Sequence, residues 1–365
     1  MSNRVTPFKK IILLVFIINC SLLITNCSKN LNPDPLPLSV KQNLAMLQIE
    51  PQFVMYMNFK KMRETEFWQK FISDSVFSSE KNFGSFLNTL KEATGSSITN
   101  GIDELFFSNS WNGDNAIVIK GTFDKNKVNE YVGRDTLYQK INYPNNVVVF
   151  KQTVTNFNFY FKDDFTVCAS NYLKQLEYTF DVKDTSRTGL LTNEKAMTDI
   201  NNIKFKEHLW MMSNQKLFIR GIFENFADTK KLTAKNPQPE DFDKRDSIES
   251  QTQQADTSGN KENPYELYNI YKKINAVSFS FDMSEGLELL MQNECEDLTS
   301  AEELRNKLDG IIALTKLSSA FTKNKTTPIL KLMDKLKTEV YEMTVVAKVK
   351  FSQQDITELR KQKIF

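Results

Sequence analysis

The chain has a single histidine, His208, so any chemistry that needs an imidazole has to use this residue. A metal site built on paired histidines is therefore excluded, and a catalytic triad would have to recruit His208. The surrounding sequence, KFKEHLWMM, leads into a predicted strand, where we expect a solvent-facing or capping imidazole. The motifs G-x-S-x-G, G-x-x-x-x-G-K-[ST] and G-x-G-x-x-G do not occur in the sequence. We predict no catalytic residue, no metal and no cofactor.

Pairs of acidic residues are the next candidates, because a glycosidase needs only two carboxyl groups held across its substrate. Three close pairs are candidates: Asp163 with Asp164, Asp103 with Glu104, and Glu294 with Glu296. The first pair fits a hairpin turn, in which aspartate accepts hydrogen bonds from backbone amides. The other two pairs alternate with apolar positions on predicted strands. We interpret all three as turn or surface residues and keep a carboxylate-dependent hydrolase as an alternative function.

One aromatic residue, Trp111, could contact a ligand. It lies in SNSWNGDN, a predicted loop tip between two strands, and loop tips on a rigid scaffold often carry binding residues. Trp68 falls on the apolar face of a predicted helix and Trp210 on a predicted core strand, so we assign both to the core. Trp111 is the ligand-binding candidate that the sequence offers.

The amino terminus has the layout of a secretory signal peptide. Arg4, Lys9 and Lys10 precede an apolar run of fifteen residues, Ile11 to Thr25. This run is shorter than the roughly 20 residues that a membrane-spanning helix needs. The polar, proline-rich sequence SKNLNPDPLP follows, and it cannot continue a helix. We predict that residues 1–26 are a signal peptide, with an uncleaved single-helix anchor as the alternative.

The end of this run, LITNC at residues 23–27, resembles the lipobox of bacterial lipoproteins. The resemblance implies a diacylglyceryl group on Cys27, cleavage before this residue and acylation of the new amino terminus. Cys20, in FIINC, is the alternative, although apolar residues follow it. Ser28 after the cysteine implies the outer rather than the inner membrane. We therefore expect a protein of the bacterial envelope that is anchored by lipid and faces the periplasm or the exterior.

The charge balance argues against nucleic acid as a partner. The chain has 47 basic and 45 acidic residues, and removal of the signal peptide with Arg4, Lys9 and Lys10 leaves 44 against 45. The two signs are interspersed, whereas a nucleic-acid-binding protein has a clustered basic face. We expect contact with the membrane through Cys27 and possible contact with an envelope protein.

The remaining sequence divides into segments of different composition. We predict a lipidated cysteine and flexible tether (27–50), a first lobe (51–200), and a second lobe (201–365) with a disordered insertion (233–264). The insertion contains only two large apolar residues, Phe242 and Ile248, too few to offset the entropy of ordering it. Cys168 and Cys295 are far apart in sequence, and we interpret them as buried free thiols.

Alternating strands and internal similarity predict the fold class. We predict an α+β protein of two similar lobes, each an antiparallel sheet with helices packed on one face, arising by internal duplication. Two pairs of segments match without gaps: residues 117–131 with 345–359, and 54–61 with 209–216. In the first pair, Asp124 and Ser352 are predicted helix N-caps. We expect the lobes to join edge to edge or across a shallow cleft.

The functional prediction follows from a tether, two lobes and no reactive cluster. This combination resembles uncharacterised two-lobed envelope lipoproteins of bacteria and implies a non-enzymatic binding or scaffolding module. A carrier of lipid or another apolar ligand is an alternative that would need a large apolar cavity. The carboxylate-dependent hydrolase would instead need two acids with raised pKa in one cleft.

Overall fold

The structure, a computed structural model, describes residues 31–72, 83–154, 156–183, 185–227, 270–321 and 334–361. The predicted signal peptide, Cys20, Cys27 and the predicted insertion at 233–264 lie outside these ranges. Their assignments therefore stay predictions.

Twelve strands and ten α-helices make up the described part of the chain. The strands are β1 (Phe53–Asn58), β2 (Ile102–Asn109), β3 (Asn115–Gly121), β4 (Tyr138–Asn142), β5 (Val148–Gln152), β6 (Asn158–Phe161), β7 (Thr166–Ser170), β8 (Leu209–Ser213), β9 (Ile274–Asp282), β10 (Leu287–Cys295), β11 (Lys337–Tyr341) and β12 (Thr344–Phe351). The helices are α1 (Leu38–Leu44), α2 (Phe59–Arg63), α3 (Glu66–Phe71), α4 (Phe83–Thr94), α5 (Lys125–Arg134), α6 (Leu173–Tyr178), α7 (Glu194–Asn201), α8 (Lys216–Ala227), α9 (Leu298–Phe321) and α10 (Gln353–Lys361).

All twelve strands belong to one antiparallel sheet, in the order β11-β12-β10-β9-β8-β1-β2-β3-β7-β6-β5-β4. The two predicted lobes meet where β1 pairs with β8, and we call this pair the seam. At the seam Tyr56 lies opposite Trp210 and Val54 opposite Met212. The α+β class and the edge-to-edge junction are thus confirmed.

The two halves share one strand order on either side of the seam. Counting outward, β1, β2, β3, β7 and β6 correspond to β8, β9, β10, β12 and β11. The segments 54–61 and 209–216 contain β1 and β8, the first strand on either side of the seam, and so occupy corresponding positions, as predicted. The pairing of 117–131 with 345–359 is wrong as a structural equivalence, because β3 is third from the seam and β12 is fourth. Strand-to-helix patterning alone produced that match.

Both predicted N-caps of these segments are nevertheless confirmed. Asp124 accepts hydrogen bonds from the amides of Asn126 and Lys127 at the start of α5, at 3.0 and 3.2 Å. Ser352 accepts from the amide of Asp355 at the start of α10, and the Asp355 carboxylate accepts in return from the Ser352 amide. These side chains satisfy amides that the first helical turn leaves without partners. A cap therefore marks each strand-to-helix transition, whichever strand precedes it.

One face of the sheet, the front face, is covered by helices in both halves. Its core joins α2, α3, α5 and α10 to residues such as Met57, Leu105 and Phe351, and so extends across the seam. Farther along the second half, α8 and α9 pack on β9, β10 and β12 through residues including Phe223 and Leu304. The front face therefore has the helical layer that the sequence predicts.

The opposite face, the back face, differs between the halves. Over the first half and β8, α1, α6 and α7 bury Tyr56, Tyr160 and Trp210 beneath a second apolar layer. Beyond β8 the same face carries polar residues such as Ser278, Gln292 and Lys348, and no described helix contributes to an apolar core there. The prediction of helices on one face thus describes the second half, whereas the first half has helices on both faces.

The prediction of a flexible tether through residue 50 is wrong for its second part. Helix α1 begins after Pro37, and Val40, Leu44 and Leu47 are fully buried. Spacings of four and three residues put these side chains on one face of the segment, and that face completes the back-face core. Residues 38–47 therefore belong to the folded body.

Two further features concern the thiols and the membrane. Cys168 and Cys295 are buried free cysteines, as predicted, and burial raises their pKa to about 11 and about 12. Both thiols therefore stay protonated at neutral pH. Among the helices of the described ranges, none combines the length and apolar composition needed to cross a bilayer.

Candidate functional site

A pocket of about 440 Å³ lies beside the seam at one end of the sheet. Three segments form it: the chain before α1, the chain leading into β8, and the turn after β9. The lining residues are Asp34, Pro35, Pro37, Phe205, Glu207, His208, Asp282 and Ser284. The pocket thus brings the single histidine and its neighbour Glu207 together with Asp34 and Asp282, two acidic residues from distant parts of the sequence.

Lys206 fixes two of these segments to each other. Its side chain is fully buried, and its ammonium donates hydrogen bonds to the carbonyl oxygens of Asp34, Asn201 and Ile203 at 2.5, 2.8 and 2.5 Å. Burial lowers the pKa of Lys206 to about 8, and the charge of Asp34 opposes this shift. All three ammonium protons are used, and two of the bonds cap the carboxyl end of α7. This lysine therefore holds residue 34 against the start of β8.

His208 is buried, so the prediction of a solvent-facing imidazole is wrong. Its side chain is 4% exposed, and Nδ1 lies 3.0 Å from Oδ1 of Asp282. The hydrogen bond from His208 is the main reason why the pKa of Asp282 is lowered. The backbone amide of Met283 also donates a hydrogen bond to Nδ1, at 3.3 Å. The imidazole thus caps a backbone amide, which is the other role predicted for it. Strand pairing places the imidazole there, because β8 and β9 are neighbours with Leu209 opposite Phe281.

Ser284 completes a histidine, aspartate and serine cluster, but not in the order of a catalytic triad. The Ser284 hydroxyl donates to Oδ1 of Asp282 at 2.8 Å, the same oxygen that His208 approaches. A triad instead places the serine hydroxyl on Nε2 of the histidine, so that the imidazole can take its proton. The described geometry commits the serine to the carboxylate. The cluster therefore fits a polar binding surface better than a nucleophile with its base.

The first two acidic pairs have structural partners. Asp163 accepts from the amide of Phe165 at 2.7 Å within a turn, and Asp164 pairs with Lys125 at 2.6 Å. Glu104 accepts from the hydroxyl of Tyr56 at 2.7 Å. The neighbouring Asp103 binds Arg63 at 2.6 Å. These contacts agree with the turn and surface roles predicted for both pairs.

Glu294 is different, because it pairs with Asp199 rather than with Glu296. Burial is the main reason why the pKa of Glu294 is raised to about 7, and the nearby charge of Asp199 also raises it. Burial likewise raises the pKa of Asp199. Asn202 donates to Glu294 at 2.8 Å and Asn214 donates to Asp199 at 2.9 Å. Glu294 is half-buried, so its assignment to the surface holds only in part. Sequence reasoning missed this pair because its members lie on α7 and β10, in different halves.

The geometry of this pair does not match that of a glycosidase. Asp199 and Glu294 are in hydrogen-bonding contact with each other. A glycosidase keeps its two carboxyl groups roughly 5 to 9.5 Å apart, with the scissile bond between them. Two carboxyl groups in contact leave no such space. We therefore interpret the pair as a link between α7 and β10.

Trp111 is exposed, as predicted for a loop tip, but it does not line the pocket. It is 49% exposed after the end of β2, whereas the pocket lies near the start of that strand. Trp68 and Trp210 are buried, which confirms their assignment to the core. The structure therefore does not bring Trp111 together with the other candidates.

A second, shallower depression of about 620 Å³ lies along α4 and α5. Charged residues of both signs line it, including Glu92, Lys127, Glu130 and Arg134. In the ranges that the structure describes, no three His, Cys, Asp or Glu side chains cluster as a possible metal site. The pocket beside the seam is therefore the candidate site with the most distinctive chemistry.

Comparison with known proteins yields likeness of fold only. No family model matches the chain, and no curated protein sequence is significantly similar to it. Crystal forms III, IV and I of TP0453, an envelope lipoprotein of Treponema, are similar with TM-scores of 0.43, 0.43 and 0.41. Sequence identities are 7%, 6% and 8%; the matches cover 87%, 90% and 91% of this chain and 97%, 97% and 98% of those chains. At this level the likeness assigns no function.

Proposed function

We propose that the protein is a non-enzymatic, lipid-anchored envelope protein that binds a protein partner at the pocket beside the seam. The lipobox-like sequence LITNC, ending at Cys27, supports the anchor. Leu31, the first described residue, follows Cys27 by four positions, and an extended chain spans at most about 14 Å over that distance. The anchor would therefore hold this end of the body close to the membrane surface.

The observation that carries the proposal is the attachment of the segment after the anchor to the pocket. The Asp34 amide donates to the carbonyl of Lys204 at 3.0 Å, and the ammonium of Lys206 donates to the carbonyl of Asp34. Asp34, Pro35 and Pro37 then line the pocket directly. An anchor at Cys27 would thus fix how the pocket is oriented at the membrane. That arrangement suits a binding module that meets partners at the envelope.

The linings favour a polar partner over the two alternative functions. An apolar carrier needs a cavity lined mainly by hydrophobic side chains, whereas charged residues line the pocket beside the seam and the depression along α4 and α5. A hydrolase needs acids that are free to act on a substrate. Asp199 and Glu294 instead bond to each other, and Ser284 bonds to Asp282.

Labelling of living cells with an alkyne fatty acid tests the anchor. We expect the wild type and Cys20→Ala to incorporate the label and Cys27→Ala to lose it, because only Cys27 ends the lipobox-like sequence. Label lost in Cys20→Ala but retained in Cys27→Ala would identify the other cysteine. An unlabelled wild-type protein that still sediments with membranes would support the uncleaved helix instead.

Site-specific photo-cross-linking tests partner binding at the pocket. A photoreactive residue at Glu207, on the exposed rim, should give a discrete adduct with one envelope protein. The same residue at Glu130, in the depression along α5, serves as the matched control and should give none. Adducts from Glu130 alone would place the partner elsewhere and contradict the proposed site.

A further inference from the structure

We propose that the outward face of α1, formed by Leu38 and Lys41, contacts the lipid bilayer, so that the pocket beside the seam opens at the membrane surface. This inference rests on the proposed membrane anchor and adds the part of the folded body that meets the lipid. Its basis is the exposure of these two side chains, together with the short chain that joins them to the anchor.

Leu38 is an apolar side chain that the fold leaves in solvent. It is 71% exposed, and no large hydrophobic side chain in the described ranges is more exposed. Helix α1 buries Val40 and Leu44 in the back-face core, and the helical spacing puts Leu38 on the other side of the helix. Single exposed apolar residues are common on protein surfaces, so exposure by itself assigns no role.

Lys41 lies on the same outward face. It follows Leu38 by three positions, a spacing that brings side chains together on a helix, and it is also exposed. Its ammonium makes no hydrogen bond or ion pair with any residue that the structure describes. Beside a bilayer, an apolar side chain can enter the boundary of the acyl chains while a neighbouring ammonium meets lipid phosphates. The pair therefore suits a membrane interface.

The chain before α1 keeps this face near the anchor. The Lys204 ammonium donates to the carbonyl of Asn32 at 2.6 Å. Lys206 holds the carbonyl of Asp34 two residues later, so the body fixes the chain from residue 32 onward. Asn32 follows Cys27 by five positions, which an extended chain spans in at most about 18 Å. The bilayer is therefore within reach of this end of the body.

The opposite end of the sheet also has an exposed apolar residue, Ile49, on the segment that follows α1. Ile49 is 53% exposed. The preceding Gln48 donates to the carbonyl of Asp114, in the turn after β2, at 2.8 Å. The pocket lies near the start of β2, and the eight residues of this strand separate its two ends by roughly 25 Å. Contact through α1 would therefore keep Ile49 away from the bilayer.

Lipid fits the outward face of α1 better than a protein does. A specific protein interface buries about 800 Å² on each partner, whereas Leu38 is the only exposed large hydrophobic residue of α1. A bilayer needs no matching shape, so one apolar side chain with a basic neighbour can add to the hold of the anchor. Pro37, next to Leu38, lines the pocket. The protein partner then has to approach the pocket along the membrane surface.

Quenching by nitroxide lipids tests the contact. The lipidated protein, reconstituted into vesicles of phosphatidylethanolamine and phosphatidylglycerol, carries a fluorescent thiol label at Leu38→Cys or, as the matched control, at Ile49→Cys. Cys168 and Cys295 are buried and their pKa is raised, so they do not react with the label. Nitroxides just below the headgroups should quench the label at position 38 and not that at position 49. Equal quenching at both positions, or none at position 38, would overturn the proposal.

A second measurement isolates the contribution of Leu38. The label is placed at Gln42→Cys, one helical turn after Leu38. Leu38→Asp should then lose most of the quenching, because a carboxylate does not enter the acyl boundary. Ile49→Asp makes a similar change at an exposed position and should keep the quenching. Undiminished quenching in Leu38→Asp would show that Leu38 makes no contact with lipid and would overturn the inference.

Further outcomes separate one error from another. A label at position 38 that is unquenched in pure vesicles, but shielded from aqueous iodide in native envelope membranes, would show a protein over this face and overturn the inference. An unquenched label together with a specific cross-link from Glu207 would leave the binding function intact and remove only the lipid contact. Quenching at position 38 without a cross-link from Glu207 would do the reverse. Protein that does not float with the vesicles would contradict the anchor and with it both proposals.

Discussion

The two halves of the sheet share a strand order but differ in what covers the back face. In the first half, β7 lies between two helical layers and all five of its residues are buried. In the second half, β12 alternates between buried and more exposed positions, with Lys348 and Lys350 on the uncovered side. A repeated topology can therefore support a three-layer half beside a two-layer half.

Polar and charged side chains lie where the apolar layer of the back face ends. Lys206, His208, and the pair of Asp199 and Glu294 all lie next to the seam, between the apolar core of one half and the polar face of the other. Lys206, His208 and Asp199 are buried, Glu294 is half-buried, and each of these groups has a partner. Burial of these charged groups without a partner would cost several kcal/mol. The pocket lies along this edge.

The largest effect on stability that we expect comes from removing a buried side chain at the seam. Trp210→Ala removes a fully buried ring that packs against Tyr56, with ring centroids 5.8 Å apart. We expect a loss of about 3–5 kcal/mol in the free energy of unfolding, the usual cost of such a cavity. Denaturant titration measures this loss. Trp111→Ala, at the half-exposed loop tip, is the control and should cost less than about 1 kcal/mol; equal losses would contradict the assigned burial.

The next effect tests whether Lys206 joins the amino-terminal segment to the seam. Lys206→Met leaves three carbonyl groups without a donor, and we expect a loss of about 1–3 kcal/mol. Hydrogen exchange should show faster exchange at the Asp34 amide in this variant. Lys204→Met removes a single bond to Asn32 and should have a much smaller effect. Unchanged exchange at Asp34 in Lys206→Met would show that other contacts hold the segment.

The pair of Asp199 and Glu294 predicts a pH dependence of stability. The pKa of Glu294 is raised in the folded chain, from 4.5 to about 7. The folded state therefore binds more protons than the unfolded state in this range, and stability is full below pH 4.5 and falls as the pH rises towards 7. We expect a loss on the order of 2 kcal/mol across this range.

Matched variants isolate that contribution. Glu294→Gln should flatten the fall in stability between pH 4.5 and 7, because the amide does not titrate. Glu296→Gln, two residues away at an exposed position, should keep the wild-type profile. Urea titrations at a series of pH values provide the measurement. A profile in Glu294→Gln that still falls as in the wild type would assign the dependence to other groups.

The smallest effect should come from the predicted insertion in the second half. Deletion of residues 236–262, with a short Gly/Ser bridge, should change the free energy of unfolding by less than about 1 kcal/mol, since loop-closure entropy varies slowly with length. Thermal and urea unfolding test this expectation. A loss comparable to that of Trp210→Ala would show that the segment contributes to the core.

Local patterns in the sequence were sufficient to predict many of the strands, helix faces and helix starts of this protein. Alternating apolar residues predicted strands such as β9, and spacing of apolar residues predicted the buried helix face that carries Trp68. Asp124 and Ser352 predicted helix starts, and the wide separation of the two cysteines, Cys168 and Cys295, indicated free thiols. The strands, helix faces and helix starts depend on residues close together in the chain, so periodicity and capping chemistry are sufficient to reveal them.

Tertiary structure alone decided the single continuous sheet, the second layer of the first half and the site. Periodicity shows that a strand buries one face, but it does not name the neighbouring strand, which is why β3 was matched with β12. It also cannot bring Asp34 to Lys206, His208 to Asp282, or Asp199 to Glu294. Those contacts join residues 74 to 172 positions apart, and they exist only because pairing across the seam places separate segments at one edge of the core.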